Sequence, residues 1–195
     1  MAMSADLLRY VGWATYASAA ATLVTFVTGI LFFTVGQPFG TIQDATSALQ
    51  VFLMLPIAAV LLNWFRPDAP VLSTLATIVG VVGMLVAGVL QVLLVFRAVR
   101  FESTIGTGLA AGGVIGAWLV VINGLGLASG AFPNGLAWSG IVAGGGYVLL
   151  VIGFWLGGQQ HPLFWGGSLA TVIGYVVWAM WLGRVLLSGA IASIR

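Results

Sequence analysis

Ionisable and redox-active side chains are scarce in this 195-residue sequence. It has no cysteine, no lysine, one histidine, six arginines and four acidic residues. Without cysteine the chain cannot form disulfides, use a thiolate nucleophile or ligate an iron–sulfur cluster. A single histidine excludes two-histidine haem ligation and histidine-rich metal clusters within the chain. We therefore expect no cofactor and no metal site.

The low charge also excludes a soluble globular domain. Charged residues make up 5% of the chain and hydrophobic residues 61%, whereas about 25% of a typical soluble domain is charged. The mean hydropathy is +1.17, so membrane lipid is the expected surrounding. The net charge of +2 is spread along the whole chain and forms no basic patch, so no nucleic-acid partner is expected.

Six apolar runs are each long enough to cross the ~30 Å hydrocarbon core of a bilayer, which takes about 20 helical residues. The runs are apolar on all sides, which favours helices over the alternating strands of a transmembrane barrel. The sequence predicts an all-α, polytopic membrane bundle of six transmembrane helices with short loops, in a single domain over residues 1–195. The predicted helices are approximately 10–35, 46–65, 71–96, 104–127, 136–156 and 164–182.

The predicted helix ends carry recognisable signals. Asp6 and Arg9 precede an apolar stretch of about 25 residues, whereas a signal-peptide core has about 7–15, so we expect the first helix to be retained. Thr41 and Asp44 are spaced like a capping box, which predicts that the second helix begins near them. Prolines in segment 66–70 predict a tight hairpin between the second and third helices.

Arginine placement indicates an orientation, because cytoplasmic loops of membrane proteins are enriched in arginine and lysine. If the N-terminus is cytoplasmic, the cytoplasmic side holds four arginines: Arg9, Arg66, Arg184 and Arg195. The opposite side then holds two, Arg97 and Arg100. This predicts cytoplasmic N- and C-termini, with the reversed topology as an open alternative. Aromatic residues near the predicted helix ends indicate interfacial belts: Tyr10, Trp13, Trp64, Trp138, Trp155, Trp165, Trp178 and Trp181.

Small residues recur every fourth position in two predicted helices. Gly108, Gly112 and Gly116 lie on one face of the fourth helix, and Gly140 and Gly144 repeat the spacing in the fifth. Such faces allow a second helix to approach closely and gain backbone contacts. The neighbour is either another helix of the same bundle or a helix of another subunit or copy of the chain.

Polar residues and prolines inside the predicted spans are few, and none of the polar residues is ionisable. Pro56 lies in the middle of the second helix and predicts a kink or a cavity. Gln91 and Asn123 are further candidates for lining a cavity. Because neighbouring helices run antiparallel, Gln50 and Gln91 approach one membrane face and Asn63 and Asn123 the other, so each pair could meet. An interhelical hydrogen bond is the commoner explanation for such residues, with ligand binding as the alternative.

Two segments of the second half resemble a known group of proteins. Residues 132–144 read FPNGLAWSGIVAG and residues 175–184 read YVVWAMWLGR. Both are similar to uncharacterised bacterial multi-pass membrane proteins that are grouped only as a domain of unknown function. The resemblance implies a location in the bacterial inner membrane, and it assigns no activity and no site residue.

These features lead to one favoured function and one alternative. Small-residue helix faces, short loops and the absence of reactive groups favour a structural or accessory subunit of a larger membrane complex, or an assembly of copies. The alternative is a small transporter, channel or lipid-binding bundle without an ionisable site at the membrane midplane. An enzyme is not expected, because Asp44, Glu102 and His161 share one side but occupy separate loops.

Overall fold

A computed structural model of the chain describes residues 4–188, which form a bundle of six α-helices joined by short connections. The helices are α1 (Ala5–Thr34), α2 (Phe39–Phe65), α3 (Pro70–Val95), α4 (Phe101–Ala128), α5 (Asn134–Gly157) and α6 (Pro162–Leu187). A single 3₁₀ turn, Gly158–Gln160, lies between α5 and α6. Each of the six helices is long and apolar enough to cross a membrane. The predicted all-α fold with six transmembrane helices is confirmed.

The helices are arranged as a closed ring. Each helix packs against the next one in the sequence, and α6 also packs against α1. Short connections force neighbouring helices to run antiparallel, so the odd-numbered helices run in one direction and the even-numbered ones in the other. Because α2 and α4 touch each other as well as α3, α3 lies in the outer groove between them.

Large side chains fill the interior of the ring. The fully buried ones include Met54, Ile57 and Leu61 of α2 and Trp118 of α4. Near the connection between α4 and α5, the ring of Phe132 packs edge-on against those of Trp64 and Phe65, with centroid distances of 5.3 and 5.2 Å. The bundle is therefore closed by aromatic packing at this end.

The prediction of interfacial tryptophans is correct for some residues and wrong for others. Trp13, Trp138 and Trp155 are largely exposed on the outside of the bundle. Trp64 and Trp178, in contrast, are buried in the core. Distance from a helix end determines the depth of a residue in the membrane, but the face of the helix determines whether its side chain points to lipid or to the interior.

Helix α2 begins earlier than the capping-box pattern predicts. Thr41 and Asp44 lie inside α2, whose N-cap is Pro38 without a side-chain cap. Instead, Oε1 of Gln37 accepts hydrogen bonds from the backbone N–H and the hydroxyl of Thr41 at 3.4 and 3.3 Å. Because a glutamine before the proline satisfies a free N–H of the first turn, the helix begins at Phe39 without a Ser or Thr cap.

Five of the six helices in residues 4–188 are longer than the apolar runs that predicted them, and α3 matches its run to within one residue at each end. They contain 24–30 residues, or about 36–45 Å at 1.5 Å per residue, so their ends reach past the ~30 Å hydrocarbon core. Asp44 of α2 and Arg184 of α6 are thus helical residues near the ends of the bundle. Arg9, Arg66 and Arg184 lie at one end, whereas Arg195 is outside the described residues.

Candidate functional site

A polar cluster connects four helices in the interior of the ring. The hydroxyls of Ser18 in α1 and Tyr175 in α6 lie 2.5 Å apart, and the Ser18 hydroxyl also donates to the Gln50 carbonyl at 3.4 Å. The Gln50 side chain of α2 lies beside the hydroxyls of Tyr147 in α5 and Tyr175 and interacts with both. Because polar groups away from water are costly unless paired, this cluster favours one arrangement of α1, α2, α5 and α6.

A second buried polar contact joins α4 to α6. Oδ1 of Asn123 accepts a hydrogen bond from Nε1 of Trp178 at 2.7 Å, and Nδ2 of Asn123 donates to the Leu119 carbonyl at 2.8 Å. Gly140 lies directly against the Asn123 side chain, so α5 leaves room for it. Asn123, predicted as a candidate cavity residue, thus contacts Trp178 and Gly140 in the packed interior.

The two predicted amide pairs do not form. The backbone carbonyl of Gln50 accepts the Ser18 hydroxyl and its side chain lies beside the two tyrosines, while Oε1 of Gln91 is buried without a hydrogen-bond partner among the described residues. Asn63 is exposed and donates to the Ala59 carbonyl of its own helix at 3.0 Å. The prediction was wrong because matching depth in the membrane does not determine which helix faces meet.

Pro56 lies within an unbroken α2 helix. It lines neither the groove between α3 and α4 nor the cavity at the end of the bundle that are described below. Its neighbours Ile57 and Ala58 are completely buried in the core. The surroundings of Pro56 are thus those of a packed helix segment.

The predicted small-residue faces lie mainly between α4 and α5. A Cβ atom added to Gly116 would lie 2.6 Å from the carbonyl oxygen of Gly144, and one added to Gly112 would lie 3.5 Å from the Tyr147 ring. Gly140 packs against Asn123, as described above. Gly108, in contrast, has no atom within 4 Å of an added Cβ. Four of the five glycines therefore pack within the chain.

Two sets of residues that the sequence reasoning overlooked are central to the packing. The first set belongs to the polar cluster and consists of Ser18, Tyr147 and Tyr175. The second set, Gly146 and Gly167, brings α5 and α6 together. A Cβ atom added to Gly167 would lie 2.5 Å from the backbone nitrogen of Leu150. The positions of Tyr147 and Tyr175 in the sequence could have indicated the polar cluster. Both lie in the middle of an apolar run, where a tyrosine cannot serve as an interfacial anchor and its hydroxyl needs a partner inside the bundle.

An apolar groove of about 330 Å³ runs between α3 and α4 on the outside of the ring. Its walls are Ile78, Val79, Val82, Gly83 and Val86 of α3 and Thr107, Ala110, Ala111 and Val114 of α4. Gly83 brings the two helices close, because an added Cβ would lie 2.9 Å from Cγ1 of Val114. The groove is therefore an open apolar surface that includes the small residues Gly83, Ala110 and Ala111.

A second cavity, of about 230 Å³, lies at the end of the bundle where α1 and α3 end and α2 and α4 begin. We call it the polar cavity; it is lined by Phe32, Gln37, Gly40, Gln43, Asp44, Leu94, Arg97, Val99 and Phe101. Asp44 is half-buried and Arg97 is exposed. Within residues 4–188, the Asp44 carboxylate makes neither a hydrogen bond nor an ion pair with Arg97 or another residue.

Arg97 has an unusual backbone conformation. Its φ of 54° lies in the left-handed region, where no other non-glycine residue of segment 4–188 is found. The α3 helix ends there with hydrogen bonds from Arg97 N–H to the Leu94 carbonyl (2.9 Å) and from Ala98 N–H to the Leu93 carbonyl (2.8 Å). This is a Schellman ending, in which glycine is the usual residue at the position of Arg97.

The ionisable residues at this end do not converge. No group of three metal-binding side chains exists among the described residues. Nδ1 of His161 accepts the Leu163 N–H at 3.2 Å and thereby caps α6, while Glu102 lies in the first turn of α4. Of Asp44, Glu102 and His161, only Asp44 lines the polar cavity.

Comparisons of the chain with protein-family models, with curated proteins and with solved structures gave no match. Any function must therefore be inferred from the apolar groove, the polar cavity and the packed interior.

Proposed function

We propose that this chain is a structural or accessory subunit of a larger membrane complex and that the apolar groove receives a transmembrane helix of another subunit. The observation that carries the proposal is the groove itself. The small residues Gly83, Ala110 and Ala111 in its lining leave space for the backbone of an incoming helix. In a bilayer, close van der Waals contact of this kind drives helix association, since lipid tails are as apolar as the helices.

The position of α3 supports this assignment. It has the highest hydropathy of the six helices, and only 22% of its most apolar window is buried in the bundle, against 44% for α2. Ile78 and Val82, on the groove wall, are more than half exposed. A helix laid into the groove would cover these side chains and the neighbouring alanines Ala110 and Ala111.

The filled interior favours a subunit over the alternative of a transporter or channel. Transported substrates usually bind near the membrane midplane between broken helices. Here Met54, Trp118 and Trp178 occupy the interior, and neither described cavity is lined by α5 or α6. The separation of Asp44, Glu102 and His161 likewise supports a non-enzymatic role.

The proposed location is the inner membrane of a bacterium, with both termini in the cytoplasm. Arg9, Arg66 and Arg184 lie at one end of the bundle, and an excess of arginine favours that end for the cytoplasmic side. The polar cavity would then open on the opposite side of the membrane.

Photo-crosslinking at single positions tests the groove as the interface. A crosslinking residue at Val82, in the groove, is expected to capture another membrane chain in native membranes. The same residue at Ile173 of α6, which is similarly exposed (63% against 55%), serves as the matched control and is expected to capture none. Equal capture at both positions, or only the uncomplexed chain at both, would contradict the proposal. Capture of lipid alone at Val82 would favour a hydrophobic-ligand role.

A further inference from the structure

We propose that the polar cavity is a binding site for a zwitterion, with a primary ammonium group beside Asp44 and a phosphate group beside Arg97. The site does not depend on the proposed subunit function, because it lies at the end of the bundle and shares no residue with the apolar groove. The proposal rests on the unpaired charges of the cavity, the backbone conformation of Arg97 at its rim and the volume of the cavity.

The Asp44 carboxylate lacks a partner although it is half-buried. It forms no hydrogen bond and no ion pair within residues 4–188, and Phe32 and Phe101 contribute apolar surface to the same cavity. A carboxylate removed from part of its water is stabilised by a cation or hydrogen-bond donor. An ammonium group entering the cavity would supply both.

Arg97 supplies the opposite charge at the rim of the same cavity. The Schellman ending of α3 determines where its backbone lies, because Arg97 and Ala98 both donate N–H groups to the last turn. Glycine would satisfy this backbone without strain. An arginine held here at φ 54° indicates a use for its side chain, since strained positions are concentrated at ligand sites.

The size and surroundings of the cavity define the class of ligand. A volume of about 230 Å³ is below the ~300–1,000 Å³ of sites for drug-sized molecules. Asp44 lies five residues from the start of α2, or about 8 Å along the helix, and is therefore near the level of the lipid headgroups. Phosphoethanolamine chemistry fits this size and charge, either as the headgroup of a phospholipid or as a small free molecule.

Native mass spectrometry of the full chain, stripped of lipid in mild detergent, tests the site. The probes are phosphatidylethanolamine, phosphatidylglycerol with the same acyl chains, and free phosphoethanolamine. We expect phosphatidylethanolamine to bind more tightly than phosphatidylglycerol, which lacks the ammonium group. Asp44→Asn and Arg97→Gln should each weaken its binding about tenfold or more, as expected when one charge-assisted hydrogen bond is lost.

The controls are Asp68→Asn and Arg66→Gln, which remove the same charges from the connection between α2 and α3 at the opposite end of the bundle. They should leave binding unchanged. Binding of phosphatidylethanolamine alone identifies a lipid headgroup site, and binding of free phosphoethanolamine with the same loss in both cavity variants identifies a soluble zwitterion. Equal binding of the two lipids, binding insensitive to the cavity variants, or no binding of any probe would overturn the proposal.

Discussion

At the scale of single residues, two similarly buried tryptophans differ in their hydrogen bonding. Trp118 and Trp178 are 2% and 0% exposed. Nε1 of Trp178 donates to Asn123, whereas Nε1 of Trp118 has no partner among the described residues. The same substitution at the two positions therefore separates the hydrogen bond from the loss of ring volume.

Trp178→Phe is expected to lower the free energy of unfolding by about 1 kcal/mol more than Trp118→Phe. The first variant leaves Oδ1 of Asn123 without its donor, while the second removes a donor that was unsatisfied. Reversible unfolding in mixed detergent micelles, followed by tryptophan fluorescence and circular dichroism, measures the difference. Equal losses would show that the Asn123 contact adds nothing measurable to stability.

The backbone of Arg97 leads to a second prediction at this scale. Arg97→Gly is expected to be about 1 kcal/mol more stable than Arg97→Ala, because glycine adopts the left-handed conformation without a steric penalty. Arg66, the exposed C-cap of α2 with φ −57°, provides the matched position. There glycine should gain nothing over alanine, and a similar gain at both positions in the same unfolding assay would argue against strain at Arg97.

At the scale of elements, glycine contacts determine how closely the helices approach. Gly116 and Gly144 place the backbones of α4 and α5 in direct contact, and Gly146 and Gly167 do the same for α5 and α6. Gly106 and Gly108 of α4, by comparison, face open space. The small residues of α4 therefore pack within the bundle around Gly112 and Gly116, but not at Gly106 and Gly108.

Gly116→Ala is expected to destabilise the protein by about 1–3 kcal/mol, since the new methyl group would require α4 and α5 to separate. Gly106→Ala is the matched control in the same helix, where the added methyl group meets no atom within 4 Å. It should be neutral or slightly stabilising, because alanine favours the helix. Thermal unfolding of the two detergent-solubilised variants checks the difference, and equal melting temperatures would contradict the close approach.

At the scale of the whole molecule, contact between the first and last helices closes the ring. A Cβ atom added to Gly183 of α6 would lie 3.1 Å from the carbonyl oxygen of Gly12 in α1. Closure brings segments 171 residues apart together, and it lets Ser18 and Tyr175 complete the polar cluster. Because the sequence contains no cysteine, introduced cysteine pairs can test this contact directly.

A chain with Gly12→Cys and Gly183→Cys is expected to form an intramolecular disulfide on mild oxidation, visible as a faster band in non-reducing electrophoresis. The control pairs Gly12→Cys with Gly124→Cys. Gly124 lies near the same end of the bundle in α4, which does not pack against α1. A disulfide in the control but not in the α1–α6 pair would reject the closed ring.

The sequence by itself determined the class of fold, because a chain with so few charges and six long apolar runs can satisfy its backbone in a bilayer only as helices. It also indicated the glycines at positions 112, 116, 140 and 144 as close-packing residues. The choice of partners came only from the tertiary structure: Gln50 meets tyrosines instead of Gln91, and Asn123 meets Trp178 instead of Asn63. Hydropathy determines depth in the membrane, whereas the rotation of each helix depends on how all six pack together.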